Sequence, residues 1–73
     1  MATSHSHLEA GVEEIVRTLR SYRVLTRAGL RDAVSGGDWP DGLFEQALRR
    51  SIKQERVLPL TDGLLEIGPH EQW

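Results

Sequence analysis

The chain has no cysteine among its 73 residues. Without thiols it can form neither disulfide bonds nor thiolate-bound metal sites. A chain of this length makes one domain at most and buries only a modest part of its surface, so we expect a fold of marginal stability. The lack of cysteine is also typical of the reducing cytoplasm, where we expect the protein to reside.

Long apolar runs and a basic leader are absent as well. The first ten residues, MATSHSHLEA, have neither the positive start nor the apolar centre of a signal peptide. The unbroken apolar stretches are two or three residues long, far short of a membrane span. We therefore expect a soluble protein with no membrane partner, associated with the nucleoid if it binds DNA.

Residues that carry catalysis are scarce. The serines lie at predicted helix caps or ends, and Glu13 and Glu14 are sequence neighbours on a helix, so they do not form a carboxylate pair in a cleft. His5, His7 and His70 have donors that suit zinc or copper, but they lie near the two termini without a carboxylate to orient them. We expect no enzyme, no cofactor, no metal site and no small-molecule substrate.

Charge is distributed unevenly along the chain. The formal net charge is −2, from 9 basic and 11 acidic residues. Residues 22–57 carry seven basic against five acidic side chains, whereas residues 58–73 carry three acidic side chains and no lysine or arginine. Any contact with an anionic partner is therefore expected from the middle of the chain.

A first helix is predicted over residues 7–21. Ser6 and Glu9 have the spacing of a capping box, and Glu13 and Arg17 are placed for a pair one turn apart. Apolar residues recur at helical spacing and are expected to form one buried stripe: Leu8, Val12, Ile15, Val16, Leu19 and Tyr22.

A short second helix follows. Thr26 is a good N-cap, and Leu25 before it is placed to pack on Leu30. Gly36 and Gly37 are expected to end this helix.

The third helix is predicted from an N-cap at Asp38 to about Glu55. One side of it is apolar, with Leu43, Phe44, Ala47, Leu48 and Ile52. The other side is polar and basic, with Gln46, Arg49, Lys53 and Arg56, and with Arg50 at its flank.

Two short strands are predicted after the third helix, in the segments VLPL and LLEI. Asp62 and Gly63 supply the turn between them, because glycine accepts the positive φ that tight hairpin turns require. Pro59 has no N–H for a strand ladder and should lie on an open edge.

The order of elements and two segments resemble winged-helix domains. VLTRAGLRDAV is similar to the entry into the second helix of that superfamily, and FEQALRRSIKQERVLPLTDGLLEIG is similar to its third helix and wing. The resemblance covers about residues 8–68 and implies an α+β fold, a small winged-helix domain of three helices followed by a two-stranded β-hairpin wing. Where the superfamily commonly has a glycine before the wing, this chain has Glu55 and Arg56.

The expected organisation is a flexible N-terminal tail over residues 1–6, a winged-helix domain over residues 7–68 and a C-terminal tail over residues 69–73. The resemblance implies a DNA-binding protein, a transcriptional regulator whose third helix contacts the major groove of double-stranded DNA, as a homodimer. Glutamine, arginine and lysine are the residue types that contact adenine, guanine and phosphate. The expected DNA-binding residues are Gln46, Arg49, Arg50 and Lys53 in the groove, with Arg27, Arg31 and Arg56 on phosphates.

Two other interpretations stay open. A winged-helix fold is also used as a protein–protein interaction (adaptor) module without DNA binding. Strand alternation leaves some hairpin leucines on an outer face, where a partner or a second copy would contact them. The residues for that role are Trp39, Leu58, Leu60, Leu64 and Leu65. The third interpretation is that the basic helix face is only solvated, since residues 40–57 have a net charge of just +1.

Overall fold

The computed structural model describes residues 3–69, with side chains from residue 7 onward. The elements are α1 (Thr3–Tyr22), β1 (Val24–Thr26), α2 (Arg27–Ala33), a 3-10 turn (Gly36–Asp38), α3 (Leu43–Lys53), β2 (Val57–Pro59) and β3 (Leu64–Ile67). The predicted α+β class is confirmed, and three helices followed by a hairpin are compatible with a small winged-helix domain. The predicted C-terminal tail lies outside the described residues beyond Pro69.

The first helix is longer than predicted. It begins at Thr3, so residues 3–6 of the predicted N-terminal tail are helical, and Met1 and Ala2 lie outside the described part of the chain. The prediction that Ser6 caps the helix is wrong, because Ser6 is an internal helix residue. Extending a helix that has already formed adds a backbone hydrogen bond for each residue, and residues 3–6 include no proline or glycine to stop it.

The hydrophobic core lies between α1, α3 and the inner face of the sheet. Gly11 of α1 lets the two long helices approach closely, since a Cβ on Gly11 would lie 3.1 Å from the Cβ of Ala47. The predicted stripe of α1 is buried from Val12 to Leu19. The core residues are Val12, Ile15, Val16, Leu19, Leu30, Val34, Phe44, Ala47, Leu48, Val57, Leu65 and Ile67.

Tyr22 departs from the predicted stripe, since 61% of it is exposed. It is the last residue of α1, and the chain turns away immediately after it at Arg23, which has a left-handed φ of 73°. The periodic pattern marks which side of the helix faces the core. It does not mark how far along the helix the core extends.

The start of α2 is as predicted. The Oγ1 of Thr26 accepts a hydrogen bond of 2.9 Å from the N–H of Gly29, which is the expected cap. The helix end differs, because the left-handed residue after α2 is Ser35, with a φ of 56°. Gly36 is instead buried, and a Cβ there would lie 3.0 Å from Cδ1 of Phe44, so it serves close packing against α3.

The predicted start of α3 at Asp38 is wrong, because Asp38 belongs to the preceding 3-10 turn. A tight turn then intervenes, in which the N–H of Leu43 donates to the carbonyl oxygen of Pro40 at 3.0 Å. Gly42 has φ 80° and ψ −10°, the angles of the third residue of a type II turn, where glycine is favoured. A left-handed residue cannot be part of a right-handed helix, so α3 begins one residue later at Leu43.

The end of α3 is a Schellman motif built without glycine. The N–H of Glu55 donates to the carbonyl oxygen of Ile52 and that of Arg56 donates to the carbonyl oxygen of Ser51, both at 2.9 Å. Glu55 has a left-handed φ of 61°. The departure from the common glycine therefore places a residue with a Cβ in a conformation that disfavours it.

Replacing Glu55 with glycine is expected to raise the free energy of unfolding by about 0.5–1 kcal/mol. The change relieves about 1–2 kcal/mol of left-handed strain, which outweighs the extra entropy that glycine adds to the unfolded chain. Urea denaturation followed by circular dichroism measures the difference. Glu55→Ala is the control, since it removes the same side-chain carboxylate and keeps the strain, and a gain of equal size from Glu55→Ala would contradict the explanation.

The hairpin belongs to a three-stranded antiparallel sheet in the order β1-β3-β2, so the prediction of a two-stranded sheet is incomplete. Residues 24–26 pair with β3, and Leu25 lies opposite Leu65. On the other side of β3, Val57 of β2 lies opposite Ile67. Pro59 lies on the edge strand β2, as predicted from its missing N–H.

Candidate nucleic-acid interface

The outward side of α3 presents a polar stripe formed by Gln46, Arg49 and Lys53. These residues follow one another at intervals of three and four, so they lie on one side of the helix, and all three are exposed. Within the described residues, none of the three has an ion pair or hydrogen bond through its side chain. The stripe is therefore open to a ligand approaching α3 from solvent.

The inward side of α3 fixes the stripe in place. Phe44, Ala47 and Leu48 are buried in the core, with Ala47 against Gly11 of α1. Ser51 is fully buried, and its Oγ donates a 2.8 Å hydrogen bond to the carbonyl oxygen of Ala47, which satisfies the hydroxyl without a partner outside the helix. Packing thus determines which face of α3 points outward.

Two arginines predicted to contact DNA point toward α1 and form ion pairs there. Nη2 of Arg50 lies 2.8 Å from Oε2 of Glu9. Arg56 makes a two-point contact with Glu13, with Nη1 at 2.7 Å from Oε2 and Nη2 at 3.5 Å from Oε1. Arg50 and Arg56 therefore do not belong to the open stripe, because their guanidinium groups are paired with carboxylates of α1.

The two predicted arginines of α2 differ from each other. Arg27 forms an ion pair with Glu45 at the start of α3. Arg31 is exposed and lines a groove of about 400 Å³ between α2 and α3, which Phe44 and Glu45 also line. Of the two, Arg31 is the arginine whose charge is open to an anion near α3.

The wing offers no positive charge. Its tip is exposed and consists of Thr61, Asp62 and Gly63, and residues 57–68 include no lysine or arginine. Gly63 has a φ of 78°, in agreement with the predicted tight turn. A polyanion that contacts this side of the domain would therefore meet positive charge on α3 and α2 and none on the wing.

The leucines of the hairpin divide as strand alternation predicts, with one correction. Leu65 is only 5% exposed and faces the core, so it cannot serve the surface role expected for it. Leu58 and Leu64 are half-buried, and Leu60 is 39% exposed. Val24 of β1, at 37% exposed, lies opposite Glu66 on the outer face and adds to it, which was not predicted because β1 itself was not predicted.

Trp39 packs against the edge of the core. Its ring meets that of Phe44 edge-on, with centroids 5.9 Å apart and planes inclined by 62°. A Cβ on Gly11 would lie 3.1 Å from Cζ3 of Trp39, so the indole covers the glycine of α1. Trp39 is half-buried, which leaves part of its ring accessible beside the start of α3.

The acidic partners of the arginines were the residues that sequence reasoning missed. The predicted pairing of Glu13 with Arg17 is wrong, because Arg17 pairs with Glu14, with Nη1 at 3.4 Å from Oε1, and Glu13 pairs with Arg56. Helical spacing reveals only pairs within one helix. Glu13 and Arg56 are 43 residues apart in the chain, so no local sequence pattern indicates that they pair.

The described residues include neither a membrane-spanning helix nor a cluster of metal ligands. Among the described helices, none combines the length and the apolar character that a transmembrane helix requires. In the same part of the chain, no three histidine, aspartate or glutamate side chains form a group that would hold a metal ion. His70 and the side chain of His5 lie outside the described residues.

Comparison with known proteins adds no relative. No protein-family model and no curated protein matches this chain, and no solved structure matches it.

Proposed function

We propose that this domain binds duplex DNA through the open stripe of α3, as a transcriptional regulator that acts as a homodimer. The observation that carries the proposal is the exposed set of Gln46, Arg49 and Lys53 on a helix whose other side is packed in the core. A rigidly held helix with such side chains has the geometry that helix-turn-helix proteins use in the major groove.

The exposed side chains without a partner among the described residues suit specific contacts with DNA. Arg49 has the planar fork that binds guanine in two places, Gln46 has the amide that pairs with adenine, and Lys53 suits a phosphate. Arg31 on α2 lies across the groove from Glu45 and would contact the backbone beside α3. Arg27, Arg50 and Arg56 are ion-paired, so they contribute to this interface only if they leave their partners.

Titration of a random-sequence duplex at several salt concentrations tests the proposal. With about two or three cations on phosphates for each protomer, the plot of log binding constant against log salt is expected to have a slope of about −2 to −3, and twice that for a dimer. Fluorescence anisotropy of a labelled duplex measures it. No binding at about 50 mM salt would refute DNA binding.

The adaptor function is the second candidate. The outer face of the sheet carries Leu58, Leu60, Leu64 and Val24, of which Leu60 and Val24 are more than a third exposed. An apolar group on a sheet face is a feature of protein contacts. Sedimentation of the purified protein distinguishes a dimer from a monomer, and Leu60→Ser tests whether a second copy is the partner of this face. A dimer that persists in Leu60→Ser would exclude self-association through the face.

A further inference from the structure

Two acidic side chains on α1 contact two arginines that lie beside the open stripe of α3. Glu9 and Glu13 are four residues apart, so they lie on one side of α1. Glu9 pairs with Arg50 on α3, and Glu13 makes a two-point contact with Arg56 just after α3. This side of α1 therefore supplies two carboxylates to the basic edge of α3.

The two arginines lie beside the proposed contact surface. Arg50 is the residue after Arg49 and is four residues from Gln46, which places it at the edge of the stripe. Arg56 follows Lys53 by three residues, at the exit of α3. A guanidinium fork binds a carboxylate and a phosphate with the same geometry, so Glu9 and Glu13 occupy the groups that a DNA backbone would use.

The pairs are open to exchange. The side chain of Arg50 is 36% exposed, that of Arg56 is 24% exposed, and their glutamate partners are more exposed still. Ion pairs that water reaches contribute little to stability and are screened by salt. A phosphate at high local concentration can therefore replace the carboxylate without unfolding the domain.

We propose that Glu9 and Glu13 are an internal competitor of DNA, which lowers the affinity of the proposed α3 site by holding Arg50 and Arg56 against α1. This inference rests on the proposed function. Binding then has two levels: the open stripe gives weak binding, and exchange of carboxylate for phosphate at two arginines gives tighter binding. An event that neutralises or displaces this side of α1, such as a partner that binds Glu9 and Glu13 with its own cations, would switch the domain from the first level to the second.

The double variant Glu9→Gln/Glu13→Gln tests the inference. It releases two arginines, so its affinity for random-sequence duplex DNA is expected to rise about tenfold, and its salt slope to become steeper by about 2. The control is Glu14→Gln/Glu66→Gln, which changes the net charge by the same amount but leaves Arg50 and Arg56 paired. The control is expected to keep the salt slope of the unchanged protein, since the slope reports the number of phosphates neutralised.

The single variant Glu13→Gln protects the test against a loss of folding in the double variant. It removes the ion pair between Glu13 and Arg56 and keeps the one between Glu9 and Arg50, so it should steepen the slope by about half as much. Circular dichroism checks that each variant is folded. If the unchanged protein binds DNA and both Glu13→Gln and the double variant keep its salt slope, the competitor role is overturned and the proposed function stands. If neither the unchanged protein nor the variants bind DNA, both proposals fail.

Discussion

Replacing Gly68 with alanine is expected to lower the free energy of unfolding by about 3 kcal/mol, which places it among the most damaging single methyl additions to this domain. Gly68 follows β3 and is buried against the exit of α3. Its N–H donates a 2.8 Å hydrogen bond to the carbonyl oxygen of Arg56, so the two backbones are held in contact.

The reason is a clash with backbone atoms. A Cβ on Gly68 would lie 2.9 Å from both the carbonyl carbon and the oxygen of Arg56, and closer still to the carbonyl oxygen of Glu55. A flexible side chain can rotate away from such a contact, but these atoms belong to the Schellman motif that ends α3. Relief therefore requires that β3 move away from α3, which breaks the hydrogen bond and opens the core.

Thermal unfolding measures the effect of Gly68→Ala, and a loss of about 3 kcal/mol corresponds to a fall in Tm of roughly 15 °C for a domain of this size. Gly37→Ala is the matched control, since a Cβ at Gly37 meets no atom within 4 Å and its backbone is not left-handed. The control is expected to leave Tm within a few degrees of the unchanged protein. Equal melting temperatures for Gly68→Ala and Gly37→Ala would show that Gly68 is not in close contact with the backbone of Glu55 and Arg56.

The variant Arg49→Ala/Lys53→Ala is expected to weaken binding to duplex DNA on the order of 100-fold at about 100 mM salt, if the domain binds DNA as proposed. It removes a guanidinium able to bind guanine in two places and a cation suited to phosphate. Both side chains are exposed and outside the core, so the fold should be retained. Loss of the lysine should also make the salt slope shallower by about 1.

The matched control for that variant is Arg17→Ala/Arg23→Ala, which removes two positive charges from exposed positions outside α3. If affinity depended only on net charge, both double variants would weaken binding equally. The proposed interface requires a much larger effect from Arg49 and Lys53, together with the change of slope. Equal effects of the two variants would leave α3 without a special role.

The elements that the sequence predicted well depend on neighbours along the chain. The buried stripe of α1 follows from helical periodicity, the cap at Thr26 from a bond to Gly29 three residues away, and the wing turn from the freedom of Gly63. The errors at helix ends have the same origin. Aspartate is a common N-cap residue, so Asp38 is a plausible start for α3. The turn that contains Gly42 instead places the start of α3 at Leu43.

The candidate site was predictable in its residue types and only partly in its geometry. The order Gln46, Arg49 and Lys53 on one side of α3 follows from spacing alone. Arg50 and Arg56 satisfy the same pattern, yet they are turned to α1 by glutamates that lie about 40 residues earlier in the chain. An apolar or basic pattern identifies which residues are suited to a contact, whereas competition from another element decides which of them remain open.

Three helices, a hairpin and the polar side of the third helix can be predicted from the amino-acid sequence, because each depends on backbone preferences and periodicity over a few residues. Three other features depend on long-range packing: residues 24–26 form a third strand, Gly68 has no room for a side chain, and two arginines are held by α1. Strand pairing, close backbone approach and ion pairing between helices are all contacts between residues distant in the chain. Their energies depend on the packed arrangement as a whole, which no local stretch of sequence specifies.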